Sequence, residues 1–318
     1  MYKGARVGVV VPAHNEERLI GQVLETMPDF VDRIVVVDDC SQDRTYEVAR
    51  GYHRQWGEHL GVIRCQENRG VGGAILTGYR RALELDLDVV AVMAGDAQMD
   101  PAELAQVIEP VIKGEADYAK GNRLFTGEAW TQMPRYRYFG NNVLSMMTKI
   151  ASGYWHVADS QAGYTAISLR ALKMLDLDHI SNGYEFENSM LIHLNVFNLP
   201  VTNVAVRPIY GIGEKSGIRL WRIIPSMSWY LTKGFFWRLK EKYIIRDFHP
   251  LLLFYATGLL LCPLGLLLGL YLVIYRLLVG MASATSAMFA AFISISGLQF
   301  LLFAMWLDME YGRDRRDG

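Results

Sequence analysis

Three cysteines in 318 residues leave no room for a disulfide framework. Cys40, Cys65 and Cys262 stand far apart and lack the ligand spacing of a zinc site, so free thiols in a reducing compartment are expected. Excess charge of either sign is missing too. A formal net charge of −1 supplies no global basic field and excludes nucleic acid as an expected partner. The opening MYKGARVGVVVPAHNEE has too short an apolar run for a signal peptide and turns acidic at once, so this end is expected to stay in the cytoplasm. Internal repeats and low-complexity tracts are also lacking. Charge disappears altogether from two later stretches, Leu251 to Tyr275 and Ala282 to Leu307, where Gln299 is the only strongly polar side chain. Each is long enough to cross hydrocarbon as a helix, and two transmembrane helices are expected.

Arg238, Lys240, Lys242 and Arg246 precede the first apolar run, and Arg313, Arg315 and Arg316 follow the second. Only Arg276 lies between them, so the positive-inside rule puts both termini in the cytoplasm. Gly265 and Gly269 form a GxxxG pattern, which packing within one hairpin explains as well as a homo-oligomer does. Upstream, Trp221, Ile224, Met227, Tyr230, Leu231, Phe235 and Leu239 recur at helical spacing, interleaved with Arg and Lys. A basic amphipathic stretch rich in Trp and Phe suits a membrane surface.

The first 125 residues alternate between apolar runs and helical patterns. Val7 to Val11, Ile34 to Val37, Val62 to Arg64 and Val89 to Ala94 read as strands. Leu19 to Thr26, Thr45 to Arg50, Gly73 to Leu85 and Ala102 to Lys113 read as helices between them. Near-continuous Val and Ile runs are what strands buried on both faces require, and the alternation predicts an α/β fold with a doubly wound, mostly parallel sheet. Further on, Met133 to Ser152 is a long mixed segment, Leu169 to Leu175 and Tyr184 to Phe197 look helical, and Val201 to Val206 looks like a strand.

In an open parallel sheet the ligand crevice lies outside the carboxyl ends of the strands. There this sequence puts Pro12 to Glu17, Asp38 to Thr45, and Gly95 to Pro101, so three acidic clusters should converge at one edge. Helix capping accounts for Ser41, Asp43 and Asp100, but less well for Asp38, Asp39 and Asp96. In extended backbone the side chains of Asp96 and Gln98 would point the same way, offering oxygen ligands to a hard cation such as Mg or Mn. His156 and His193 have no metal-ligand spacing.

The ordered runs VVVPAHNEE, VVVDDCSQDRT, ENRGVGGAI and MAGDAQMDP resemble the family-2 glycosyltransferases with a GT-A nucleotide-sugar-binding fold. The likeness is to the polyprenyl-phosphate branch that includes dolichol-phosphate mannose synthase. It covers roughly residues 7–125, with weaker matches to about 216, and a two-helix tail is usual in that branch. The resemblance implies a cytoplasmic catalytic domain over 1–212, amphipathic juxtamembrane helices over 213–248, membrane helices within 249–309 and a tail over 310–318. It also implies that Pro12, His14, Glu16, Asp38 and Asp39 hold the nucleotide, and that Asp96 and Gln98 hold the metal and diphosphate. Arg123 would meet donor phosphates or the lipid phosphate.

The chain departs from the family pattern at Ala94, where the first Asp of Asp-x-Asp-x-Gln belongs, and at His14, Val71 and Thr165. Asp159, in Asp159-Ser160-Gln161-Ala162-Gly163-Tyr164, resembles a later family motif and would orient acceptor or sugar. A hydroxyl acceptor needs a general base. A lipid phosphate, with a second pKa near ~6, is already an anionic nucleophile at neutral pH. Positioning and charge screening are then the protein's main tasks. Arg135, Arg137 and Lys149 would draw that phosphate to the site or serve as solvated surface charge. The expectation is an inverting transfer of sugar from a nucleotide-sugar, UDP-linked in preference to GDP-linked, to a polyprenyl phosphate at the membrane face. The alternatives are a glycosyltransferase acting on lipid or protein hydroxyls and a non-catalytic scaffold. A processive synthase would need a Gln-x-x-Arg-Trp motif, which Arg219-Leu220-Trp221-Arg222 does not supply.

Overall fold

The structure, a computed structural model, describes residues 1–125, 135–207, 209 and 220–314. It separates into two compact units, Met1–Phe235 and Phe236–Gly318.

The first unit is built on seven strands: β1 (Val7–Ala13), β2 (Arg33–Asp38), β3 (Leu60–Arg64), β4 (Val89–Val92), β5 (Tyr118–Asn122), β6 (Thr165–Ser168) and β7 (Val201–Ala205). Their order is β3-β2-β1-β4-β6-β5-β7. The β3-β2-β1-β4 half is parallel throughout. β6 then runs antiparallel to both β4 and β5, and β5 pairs parallel with β7. The helices, in chain order, are α1 (Ile20–Glu25), α2 (Thr45–Gly51), α3 (His53–Trp56), α4 (Gly70–Glu84), α5 (Leu104–Ile112), α6 (Arg135–Ser152), α7 (Leu169–Met174), α8 (Phe186–Val196), α9 (Leu220–Lys240), α10 (Leu251–Leu278) and α11 (Ala284–Asp314).

All seven residues of β1 are buried, because side chains alternate into two separate cores. Val10, Val35, Val37, Val90 and Val92 join Ile75 and Tyr79 of α4 on one face. Val9, Val11, Ile34 and Val36 join α1 and Leu104 and Val107 of α5 on the other. The continuous Val and Ile runs are thus the signature of a two-sided sheet. β5 and β6 are additions to the sequence reading. They are short, and β5 carries Lys120 and Asn122 inside a wholly buried strand. α6 occupies most of the segment from Met133 to Ser152, while the side chains of Arg135 and Arg137 lie outside the described residues.

In the second unit, α10 and α11 are long and apolar enough to cross a membrane. Only 22% and 17% of their apolar windows are buried, the reverse of a soluble core helix. The GxxxG pattern divides: a Cβ on Gly265 would lie 2.4 Å from Ser294 Oγ, so this glycine serves the packing of α10 on α11, whereas Gly269 faces open space. Arg238, read as surface charge, is instead fully buried. Its Nη1 and Nη2 donate to Asp308 at 3.0 and 2.8 Å, and the Tyr243 hydroxyl donates to the same carboxylate at 2.6 Å.

Candidate functional site

The loops leaving β1, β2 and β4 meet at the carboxyl edge of the parallel half and wall a cavity of about 330 Å³. Its lining includes Pro12, His14, Glu16, Asp39, Asn68, Ala94, Asp96 and Tyr184. The first two loops are stitched together by side chain to backbone bonds. Ser41 Oγ accepts from Asn15 N–H at 2.9 Å, Thr45 Oγ1 accepts from Glu16 N–H at 2.8 Å, and Asn15 Oδ1 accepts from Gln42 N–H at 2.9 Å. Asn15 and Cys40 both sit at positive φ, +58° and +57°, which turns the chain sharply at each strand end. His14 Nδ1 lies 2.7 Å from the Asp39 carbonyl oxygen. Asp39 Oδ1 in turn accepts from Arg69 N–H at 2.8 Å, tying the entry of α4 to the cavity.

α4 begins Gly70-Val71-Gly72-Gly73, and the backbone of residues 181–183 lies directly against it. Gly73 N–H donates to the Asn182 carbonyl at 3.0 Å. A Cβ on Gly72 would come within 2.7 Å of the Ser181 carbonyl, so only glycine permits this approach. That approach is what brings Gly183 and Tyr184 to the cavity.

Asp38 and Asp39, adjacent in sequence, have different settings. Asp39 lines the cavity, whereas Asp38 is fully buried beneath it. Asp38 Oδ1 accepts from Ser41 N–H at 3.3 Å and Oδ2 lies 3.4 Å from Arg64 Nε, so Asp38 shapes the turn. Glu16 has the opposite character. Burial, reinforced by the negative charges of Asp96 and Asp43 and eased by His14, pushes its carboxyl up to about 7.

Gly95 to Gln98 is a turn rather than an extension of β4. Asp96 Oδ1 accepts from Gln98 N–H at 3.1 Å, and Ala97 adopts φ +56°. The extended geometry expected for Asp96 and Gln98 is therefore corrected: the turn parts them, Asp96 lining the first cavity and Gln98 a second. This second cavity is small, about 50 Å³, with Met99, Arg123, Ala162, Gly163, Tyr164, Val206 and Arg207 as its other walls. Arg207 had no motif to mark it in the sequence. The pairing of Lys120 with Glu187 beneath this wall had no local signal either, since 67 positions separate them.

Arg123 is held by a fork-to-fork pair with Asp159, Nε to Oδ2 at 2.7 Å and Nη2 to Oδ1 at 3.1 Å. Burial works to raise the Asp159 pKa, but the Arg123 guanidinium, helped by Lys120, outweighs it and holds the carboxyl below its usual range. Such a carboxylate is a weak proton acceptor and a strong fixture for Arg123.

No group of three His, Cys, Asp or Glu side chains suited to a metal occurs among the described residues. A magnesium-type ion is commonly held by one or two carboxylates together with substrate phosphates. Asp96, at the cavity wall with its charge close enough to raise Glu16, fits that kind of shared site.

Residues 8–175 match the family described as Glycosyl transferase family 2. The UDP-N-acetylglucosamine–dolichyl-phosphate N-acetylglucosaminyltransferase of Methanococcus voltae is 32% identical over 214 residues, covering 64% of this chain and 85% of that protein. The undecaprenyl-phosphate mannosyltransferase of Micrococcus luteus is 30% identical over 207 residues, covering 63% and 84%. Among solved structures, glucosyl-3-phosphoglycerate synthase from Mycobacterium tuberculosis, in complex with Mn2+, UDP and glucosyl-3-phosphoglycerate, superposes with a TM-score of 0.53. It is 20% identical and covers 74% of this chain and 80% of that one, a likeness of fold.

Proposed function

The chain belongs to glycosyl transferase family 2 and is a glycosyltransferase; from that premise we propose that it moves a sugar from a nucleoside diphosphate sugar to a polyprenyl phosphate at the cytoplasmic face of a membrane. The named activities of the Methanococcus and Micrococcus relatives support the acceptor class. The observation that carries the reading is the locked state of Asp159. This buried carboxylate stands behind the cavity's Arg123, and the bidentate pairing leaves it poorly suited to deprotonate a hydroxyl. An anionic acceptor needs no such base.

The roles divide between the cavities. Pro12, His14, Glu16 and Asp39 take the nucleotide, with Asp38 acting from beneath through the turn it shapes. Asp96 would hold Mg or Mn on the diphosphate, while Gln98, which lines the second cavity, stands apart from it. Such an ion, when bound, neutralises the leaving group. Arg123 and Arg207 offer guanidinium groups to the acceptor phosphate. Displacement is then in line across the Gly95–Gln98 turn, with inversion at the anomeric carbon. We favour a UDP-sugar donor, in line with the Methanococcus relative. α10 and α11 form the membrane hairpin, and both termini face the cytoplasm.

The test uses purified full-length protein in detergent or liposomes with Mn or Mg, radiolabelled UDP- and GDP-sugars and a polyprenyl phosphate. Label entering the organic phase only when lipid phosphate is present is the expected result. Sugar nucleotide binding with no lipid-phosphate product from any donor would redirect the reading to a hydroxyl acceptor or a non-catalytic role.

A further inference from the structure

Behind the second cavity lies a buried ion pair that the proposed chemistry does not use. Lys120, in the middle of β5, is wholly buried, and its ammonium is paired with the Glu187 carboxylate. The same nitrogen donates to the Ala162 carbonyl at 2.6 Å. Glu187 stands in the first turn of α8, where the helix dipole favours a carboxylate, and its Oε2 also accepts from the Tyr118 hydroxyl at 3.3 Å.

Two physical points separate this arrangement from ordinary core packing. A buried ion pair is a poor way to gain stability, since desolvation of both partners offsets their attraction. It is an effective way to fix positions, because each hydrogen bond has one geometry and no solvent competes for it. What Lys120 fixes are the two walls of the second cavity. Its own strand ends in Gly121-Asn122, immediately before Arg123, and the carbonyl it grips belongs to the Ala162-Gly163-Tyr164 wall. Gly121 N–H adds a bond to the Tyr164 carbonyl at 2.7 Å. Lys120 also lies close enough to Asp159 to help hold that carboxylate ionised. Glu187, Lys120, Asp159 and Arg123 thus form a line of alternating charges from the first turn of α8 to the cavity, with Arg123, a quarter exposed, the most accessible of the four.

We infer that Lys120 and Glu187 are positioning residues which hold Arg123 and the Ala162–Tyr164 wall at the spacing an acceptor phosphate requires. This rests on the acceptor assignment above, and the measurements keep the two apart. Glu187→Gln keeps the shape and the bond from Tyr118 while removing the charge; Lys120→Met removes the grip on Ala162, and the double variant leaves no unpaired charge. In the full-length protein in detergent, Glu187→Gln should raise the acceptor KM by about tenfold, equivalent to about 1.4 kcal/mol. Nucleotide affinity, measured by direct binding, should stay unchanged. Tryptic cleavage after Arg123, which needs no catalysis, should become several-fold faster in both single variants at temperatures where they remain folded. In the double variant the melting temperature should recover while KM and cleavage stay raised. Unchanged cleavage after Arg123 in a folded variant would overturn the inference, as would recovery of KM together with stability in the double variant, because both describe a purely structural pair. Absence of lipid-phosphate transfer by the wild type would defeat the acceptor assignment alone, leaving the cleavage result to decide the role of the pair.

Discussion

Glutamine in place of Glu16 should change the stability of the first unit in a pH-dependent way, and its size follows from the environment of that carboxyl. Burial, then the neighbouring Asp96 and Asp43, raises the folded-state pKa from 4.5 to about 7. The native chain therefore holds this proton more tightly than the unfolded chain does. Stability linked to it is fully present below pH 4.5 and is lost as pH rises towards 7, since the unfolded state ionises first. At 1.36 kcal/mol per unit, a shift of that size corresponds to about 3 kcal/mol. Glu16 is only half-buried, and solvent screening reduces the expected effect to about 1–2 kcal/mol. Glu16→Gln carries no charge at any pH, so its stability relative to wild type should climb by that amount between pH 5 and pH 8. For a unit of this size the change is about 3–6 °C in melting temperature. Thermal denaturation of both proteins in detergent, without nucleotide, reads it directly. Two curves that stay parallel from pH 5 to pH 8 would refute the assignment of Glu16 as a strained carboxylate.

Further predictions concern single contacts. Asp96→Ala should reduce transfer by well over tenfold without unfolding the protein, because several kcal/mol of charge stabilisation at the diphosphate would be lost; turnover above about a tenth of wild type would remove Asp96 from the metal site. Asp159→Asn replaces charge-assisted hydrogen bonds, worth about 1.5–3 kcal/mol each, by neutral contacts worth about 0.5–1.5 kcal/mol. It should raise acceptor KM with kcat nearly intact, whereas loss of kcat at saturating acceptor would restore Asp159 as a base. Gly72→Ala forces a Cβ against the Ser181 carbonyl, 2.7 Å away, and should weaken nucleotide binding as Tyr184 is displaced; the cost is about 1–3 kcal/mol, measurable by titration calorimetry. Asp308→Asn leaves the buried Arg238 guanidinium without its counter-ion, with a destabilisation of about 3–5 kcal/mol. Replacing both by apolar residues should recover most of the lost melting temperature.

The parallel half of the sheet was legible in the sequence because its strands are unbroken Val and Ile runs, buried on both faces. The acidic loops were legible for the same reason: they stand where those runs stop. β5 was not, because Tyr118-Ala119-Lys120-Gly121-Asn122 contains polar residues that are buried only by virtue of distant partners. Hydrophobic patterning reports on solvent, and a lysine neutralised by a glutamate far along the chain defeats it. Asp38 and Asp39 show a related limit. Local sequence places both at a strand end, but only the handed turn at Cys40, with φ +57°, separates one beneath the floor from one on it. The apolar helices were visible at once, yet α11 runs on past Leu307 to Asp314, since backbone hydrogen bonding continues beyond the apolar residues. The burial of Arg238 was hidden because nothing in a basic stretch reveals which cation meets an acid seventy positions later.

The reversal of strand direction at β4 and β6 has a consequence for descent. Residues of the first cavity come chiefly from loops of the β3-β2-β1-β4 half, and those of the second from β5, the run into β6 and the end of β7. Only the short turn after β4 contributes to both, through Asp96 and Gln98. Substitutions in the later part of the unit can therefore accumulate around the second cavity while most of the first cavity's wall, Gly183 and Tyr184 excepted, stays as it was. A lineage built on this plan can vary one cavity by drift, and recombination near β4 would exchange the walls of the second cavity as an inherited block.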